Sequence, residues 1–143
     1  SAASSSAKVS TASSSAKLGL PECSLGLIPG YSGTQKLPRI IGVNLAMEMI
    51  LTAKIINAEE AYRIGLVNHV VSQNELLEKC LSISKLFNNT SSESLASAIK
   101  SINSCYSDNG DDVESKEFGK LFETNNFKEG VSAFLQKRKP NFN

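Results

Sequence analysis

The stretch Leu18-Gly19-Leu20-Pro21-Glu22-Cys23-Ser24-Leu25-Gly26-Leu27-Ile28-Pro29-Gly30-Tyr31-Ser32-Gly33-Thr34 decides how this chain is read. Gly19, Pro21, Gly26, Pro29, Gly30 and Gly33 punctuate its apolar residues. Such spacing enforces backbone geometry and reads as a loop rather than a helix. Its one carboxylate, Glu22, stands just ahead of the densest punctuation. A glutamate there can act as a general acid or base, and nearby glycines let a substrate approach backbone N–H groups closely. From spacing alone, the plainer reading is a surface glutamate beside a tight turn.

Outward from this loop the chain reads as helices with a single strand. Residues 34–41 form a short helical piece in which Pro38 restarts a turn. Residues 44–51 are apolar at helical spacing through Leu45, Met49 and Ile50. Asn57 precedes Ala58-Glu59-Glu60-Ala61 as an N-cap followed by acids in the first turn, and Gly65 ends that helix as its C-cap. Residues 66–71 are the best strand candidate. A long helix starts at Ser72 or Gln73, with Leu76, Leu77, Cys80, Leu81, Ile83 and Leu86 on its apolar side. Helices follow over 92–106, 111–122 and 126–137, with a turn at Asp108-Asn109-Gly110. So little sheet predicts a helical layer that needs something else to pack on.

Upstream, thirteen of the first 17 residues are Ser or Ala, and Ala-Ser-Ser-Ser-Ala-Lys occurs twice, from Ala3 and from Ala12. This composition cannot bury a core. Residues 1–8 are expected to be a Ser/Ala-rich leader, and residues 9–17 a short strand and turn feeding the ordered part.

The 15 basic and 14 acidic residues leave a net charge of +1, which gives no reason to expect nucleic acid or a charged membrane as partner. No apolar run approaches the roughly 20 residues of a membrane helix. Cys23, Cys80 and Cys105 are odd in number and lack metal-like spacing, so reduced, partly buried thiols are expected. His69 is the sole histidine and reads as structural within its strand. Without a Cys or His partner at ligand spacing, no metal site is expected.

Ordered blocks of residues add a second line of argument. Pro21-Glu22, Leu25-Gly26, Ile28-Pro29-Gly30, Gly33-Thr34-Gln35-Lys36-Leu37-Pro38-Arg39 and Ile41-Gly42 resemble the signature of the crotonase (enoyl-CoA hydratase/isomerase) family. The resemblance continues through Ala46-Met47-Glu48, Leu51-Thr52-Ala53, Ala58-Glu59-Glu60-Ala61 and Gly65-Leu66-Val67-Asn68. It ends with Lys128-Glu129-Gly130, Ala133-Phe134 and Gln136-Lys137-Arg138-Lys139-Pro140, and so covers nearly the whole chain.

This resemblance, closest to short-chain enoyl-CoA hydratases, implies an α/β crotonase-like spiral fold. Residues 9–143 would be the C-terminal part of one such domain: the end of the spiral plus the mostly helical region. It implies hydration of the 2,3-double bond of trans-2-enoyl-CoA in fatty-acid metabolism, with the coenzyme A thioester as substrate and no cofactor. Alternatives are an isomerase of the same family or a non-catalytic, crotonase-derived subunit. In the hydratases two glutamates hold one water. Glu22 matches the second, which protonates the α-carbon, and Gly30 matches the glycine whose N–H positions the water. Phe118 and Lys137 match residues at the CoA end. Lys137 is equally read as part of a solvated basic tail.

Departures from the pattern matter too. The family's first glutamate, about 20 residues upstream in a Gly-rich helix start, would fall at Ala2, and no glutamate precedes Glu22. Both N–H donors of the thioester oxyanion hole belong to segments these residues do not match, so the 143 residues alone are expected to be inactive. The second glycine of the usual Pro-Gly-x-Gly-Gly-Thr loop is Ser32, which constrains that turn. Asn126, where an acid is common, is expected to cap the last helix. The resemblance further implies a homotrimer or dimer of trimers, cytoplasmic if bacterial and in the mitochondrial matrix if eukaryotic.

Overall fold

Residues 9–142 are described by a computed structural model. The Ser/Ala-rich leader expected over 1–8 lies outside the described residues. Among the described residues four strands of three residues each stand where the sequence suggested one over 66–71 and a short one within 9–17. β1 (Thr11–Ser13) runs parallel to β4 (His69–Val71), with Ala12 opposite Val70. β2 (Lys17–Gly19) pairs antiparallel with β3 (Ile55–Asn57), with Leu18 opposite Ile56. Strands this short carry no readable alternation, so their partners define them. The expected strand and turn over 9–17 is present as β1 and the turn after it, where Ala16 N–H donates to the Ser13 carbonyl at 2.9 Å.

One helix, over Ala58–Arg63, packs against both ladders. α1 (Gly33–Ile41) contains Pro38 without ending there. α2 is Val43–Leu51 and α3 is Ala58–Arg63. Asn57 caps α3 as expected, its Oδ1 accepting from Glu60 N–H at 2.8 Å. Ile64 takes the C-cap position, and Gly65 follows it at φ 77°, the left-handed residue that a helix end favours. The core joins Leu37 and Ile41 of α1, Ala46, Met49 and Ile50 of α2, Ile56 of β3, and Val67. Ala58 and Ala61 are wholly buried, so α3 seats directly on its neighbours.

The chain divides into two compact units, Ser1–Cys80 and Leu81–Asn143. Ser72 and Glu75 form a capping box on a short 3-10 turn that leads into α4 (Leu76–Phe87). None of α4's expected apolar side is buried. The second unit holds α5 (Ser92–Asn103), α6 (Gly110–Leu121) and α7 (Asn125–Leu135). α5 ends three residues earlier than expected, where Ser104 Oγ donates to the Ser101 carbonyl and offers the backbone an alternative to continuing.

α5 and α6 are joined through the buried Glu117. Lys100 Nζ and Lys120 Nζ donate to its Oε1 at 2.6 and 2.7 Å, and Ser97 Oγ to its Oε2 at 3.3 Å. The hydrogen bonds from Lys100 and then Lys120 hold its carboxyl at about 2, against the opposing effect of burial.

Two expectations are corrected in detail. Asn126 does not cap α7: Thr124 does, accepting from Phe127 N–H at 3.1 Å. Asn126 lies inside the helix, buried, and donates to Glu93 Oε2 at 3.0 Å. Of the three free thiols only Cys23 is partly buried; Cys80 and Cys105 are exposed. Several helices are apolar on two faces. Val43, Met47 and Leu51, spaced four apart on α2, are exposed, while Ala46, Met49 and Ile50 of the same helix are buried. Among the described residues no helix is long and apolar enough to cross a membrane.

Candidate active site

The Gly/Pro-rich stretch is not loop throughout, as the sequence suggested. Leu18 and Gly19 belong to β2, and Pro21–Leu25 form a 3-10 helix. Pro21 fits at its start because its fixed φ suits a first helical residue and its missing N–H has no helical partner to lose. Ser24 Oγ donates to the Pro21 carbonyl at 2.7 Å. Gly26, at φ 74°, ends the turn in the left-handed region, and its N–H donates to the Cys23 carbonyl at 3.2 Å. Leu27 N–H donates to the Glu22 carbonyl at 3.0 Å. The main chain of Glu22 is thereby held by its own loop.

The Glu22 side chain is the chemically unusual feature. Its Oε2 is shielded from solvent and accepts no hydrogen bond among the described residues. A buried polar atom without a partner costs about 1–3 kcal/mol, and in a folded protein it calls for an explanation such as a catalytic role or a ligand. The surface-glutamate reading does not account for it.

Beyond Gly26 the loop is shaped by close packing. A Cβ on Gly33 would lie 2.7 Å from Pro29 Cβ and 3.0 Å from Leu20 Cδ1. Gly30 is exposed, with open space where a Cβ would be. Ser32 occupies φ 62°, a left-handed conformation that L-residues rarely adopt, so the constraint expected there is present. Its carbonyl accepts from Gln35 and Lys36 N–H at 3.1 and 2.8 Å and starts α1.

Glu22 and Gly30 therefore flank one loop of the first unit. Phe118 and Lys137 belong to the second. Phe118, on α6, is exposed and packs edge-on against Phe122 at 4.9 Å between ring centres. Phe122 does the same with Phe127. Lys137 follows α7 at φ 54°. Around it runs a network that sequence reasoning missed: Arg138 donates twice to Glu129, at 2.6 and 2.9 Å, and Asn141 N–H donates to the same carboxylate at 2.8 Å. Hydrogen bonds from Arg138 and then Asn141 hold the Glu129 carboxyl at about 2. The quoted blocks contained both Glu129 and Arg138, but a separation of nine residues gave no sign of their pairing.

An open groove between α5 and α6 is lined in part by Ser97, Ser101, Ile102 and Phe118. Glu22 is not among its lining residues. No group of three or more His, Cys, Asp or Glu side chains is placed to hold a metal ion among the described residues.

Short paired strands, a Gly/Pro-shaped loop carrying one carboxylate and a run of helices define the class first: the chain has the crotonase-like α/β fold expected from its sequence. Comparison then defines the family. The enoyl-CoA hydratase/isomerase family pattern matches residues 4–143, and the chain belongs to that family. It is 43% identical over 135 residues to a probable enoyl-CoA hydratase of Bacillus subtilis, covering 92% of this chain and 52% of that protein. It is 42% identical over 142 residues to the crotonyl-CoA hydratase of Syntrophomonas wolfei, with the same coverages. The crystal structure of an enoyl-CoA hydratase from Bacillus anthracis superposes with a TM-score of 0.86 at 38% identity, covering 92% of this chain and 52% of that one. The chain thus spans about half the length of these relatives.

Proposed function

We propose that the whole protein to which these residues belong is an enoyl-CoA hydratase acting on trans-2-enoyl-CoA thioesters in fatty-acid metabolism. The observation that carries this reading is Glu22: a carboxylate with one oxygen buried and unpartnered, on the Gly-rich loop of a chain about 40% identical to named hydratases. In the reaction the water oxygen bonds to the β-carbon and gives up one proton to the carboxylates that hold it, while the α-carbon takes a proton, so that the elements of one water are added and the carboxylates end as they began. Glu22 delivers the proton to the α-carbon. The N–H of Gly30, an exposed residue, positions the water, and glycine leaves room for the approach. A second carboxylate, to hold the water with Glu22, comes from outside these residues, as do the oxyanion-hole donors that take up the charge developing on the thioester oxygen. Phe118 and Lys137 contact the CoA portion, Lys137 as a point charge near phosphate.

The apolar outer face of α2 supports assembly, because large exposed apolar surface marks contact sites. We assign a homotrimer or dimer of trimers, cytoplasmic in a bacterial source and in the mitochondrial matrix in a eukaryotic one.

The test is hydration of crotonyl-CoA by the complete gene product, followed through loss of the enoyl thioester absorbance and by product analysis. Glu22→Gln is expected to lower kcat by about 10²–10⁴-fold, the usual worth of a general acid or base. Full activity in that variant removes Glu22 from the mechanism, and a shifted double bond in place of a 3-hydroxy product points to an isomerase. The 143-residue chain alone is expected to show no turnover.

A further inference from the structure

The segment after α7 is held more firmly than a tail needs. The Arg138 guanidinium grips Glu129 with two hydrogen bonds, while its Nε donates to Gln136 Oε1 at 3.0 Å and its Nη1 to the Lys139 carbonyl at 3.2 Å. Asn141 N–H donates to Glu129 Oε1, the oxygen that Arg138 Nη1 also holds, at 2.8 Å. Arg138 N–H donates to the Ala133 carbonyl, and Gln136 Nε2 to Ser132 Oγ. The ties from Arg138 to Glu129, Gln136 and Ala133, and from Asn141 to Glu129, all span Lys137. Lys137 itself sits at φ 54°, a conformation that a non-glycine residue keeps only where its surroundings impose it.

The distribution of charge is telling. Arg138 carries the forked group best suited to phosphate, yet both of its arms are committed. The Lys137 ammonium makes no ion pair or hydrogen bond among the described residues. The segment thus spends its arginine on internal order and leaves Lys137 and Lys139 as its unpaired cations among the described residues, of which Lys137 alone is held at positive φ. We propose that Glu129, Arg138 and the Asn141 amide form a clamp that positions Lys137 and presents its ammonium to the phosphates of the acyl-CoA. This rests on the hydratase reading above. Glu129 and Arg138 are positioning residues, acting through Lys137 rather than on the substrate.

The test compares two substrates of the complete protein: crotonyl-CoA, and the crotonyl thioester of N-acetylcysteamine, which lacks every phosphate. Lys137→Asn, chosen because Asn tolerates the left-handed region, is expected to raise KM for crotonyl-CoA about fivefold, as loss of an exposed charge contact would. kcat and the KM for the truncated thioester are expected to stay constant. Arg138→Gln is expected to reproduce this pattern, and the double variant to be no worse than either single one, because residues acting as one unit are non-additive. Should Arg138→Gln fail to fold, the near-isosteric Glu129→Gln opens the clamp from its other side. An unchanged KM in the clamp variants, an equal rise for both thioesters, or full additivity with Lys137→Asn overturns the proposal. If the parent hydrates neither thioester, the hydratase reading falls, and calorimetric titration with free coenzyme A judges the clamp alone. Non-additive weakening by the two substitutions then supports it, and unaltered affinity overturns it.

Discussion

Replacing Ser32 with glycine should stabilise the protein. Ser32 stands at φ 62°, ψ 19° at the start of α1, and its side chain makes no capping hydrogen bond to the helix. Its carbonyl, which accepts from Gln35 and Lys36, is retained in Ser32→Gly. The side chain is exposed, so no packing is lost. A left-handed L-residue costs about 1–2 kcal/mol relative to its preferred conformations, a cost glycine escapes. Against this, glycine loses more backbone freedom on folding, about 0.5–1 kcal/mol. The balance favours the variant by about 0.5–1 kcal/mol, and for a protein of this size that raises Tm by about 1–4 °C. The assay is thermal unfolding of the complete protein, parent and variant side by side at one concentration, since assembly makes Tm concentration-dependent. A lower Tm in the variant refutes the reasoning, for it would mean that the Ser32 hydroxyl contributes more than the backbone conformation costs.

The next position along should respond in the opposite sense. Gly33→Ala places a Cβ 2.7 Å from Pro29 Cβ, so the loop must shift; a loss of about 1–3 kcal/mol is expected, seen as a lower Tm in the same assay. Acid should weaken the second unit through Glu117. Its folded pKa of about 2 lies below the ordinary 4.5, so its contribution is fully present above about pH 4.5 and is lost as pH falls through about 2. Denaturant unfolding at pH 6 and at pH 3 should therefore show a smaller acid-induced loss in Glu117→Gln than in the parent; an identical loss in both would show that this carboxylate does not supply the effect.

Local signals with a strong chemical cause were readable in the sequence. Asn57 before two acids is a cap in any context, and the Ser32 constraint followed from the resemblance, whose loop pattern has glycine at that position; the left-handed φ is what the structure adds. What escaped reading depends on partners distant in the chain. β2 and β3 exist because Leu18 lies opposite Ile56, across 38 residues, and three residues hold no periodicity of their own. Asn126 was misplaced by two residues because Thr124 competes for the cap, and Glu93, which takes its side chain, lies on another helix. At the site, Glu22 was nominated by residue type and order, but the isolation of its Oε2 is a property of three-dimensional burial. The Glu129–Arg138 pair was hidden for the same reason.

On the proposed reading of Glu22 as the acid, the tie between Leu27 N–H and the Glu22 carbonyl has a kinetic meaning. A carboxylate on a wandering loop would have to be ordered each time a ligand arrived, and that loss of freedom would be subtracted from every binding event. Here the turn is closed when the protein folds, leaving only the side-chain torsions of Glu22 to be set. Ordering done once, in folding, leaves more of the ligand's interaction energy to appear as rate.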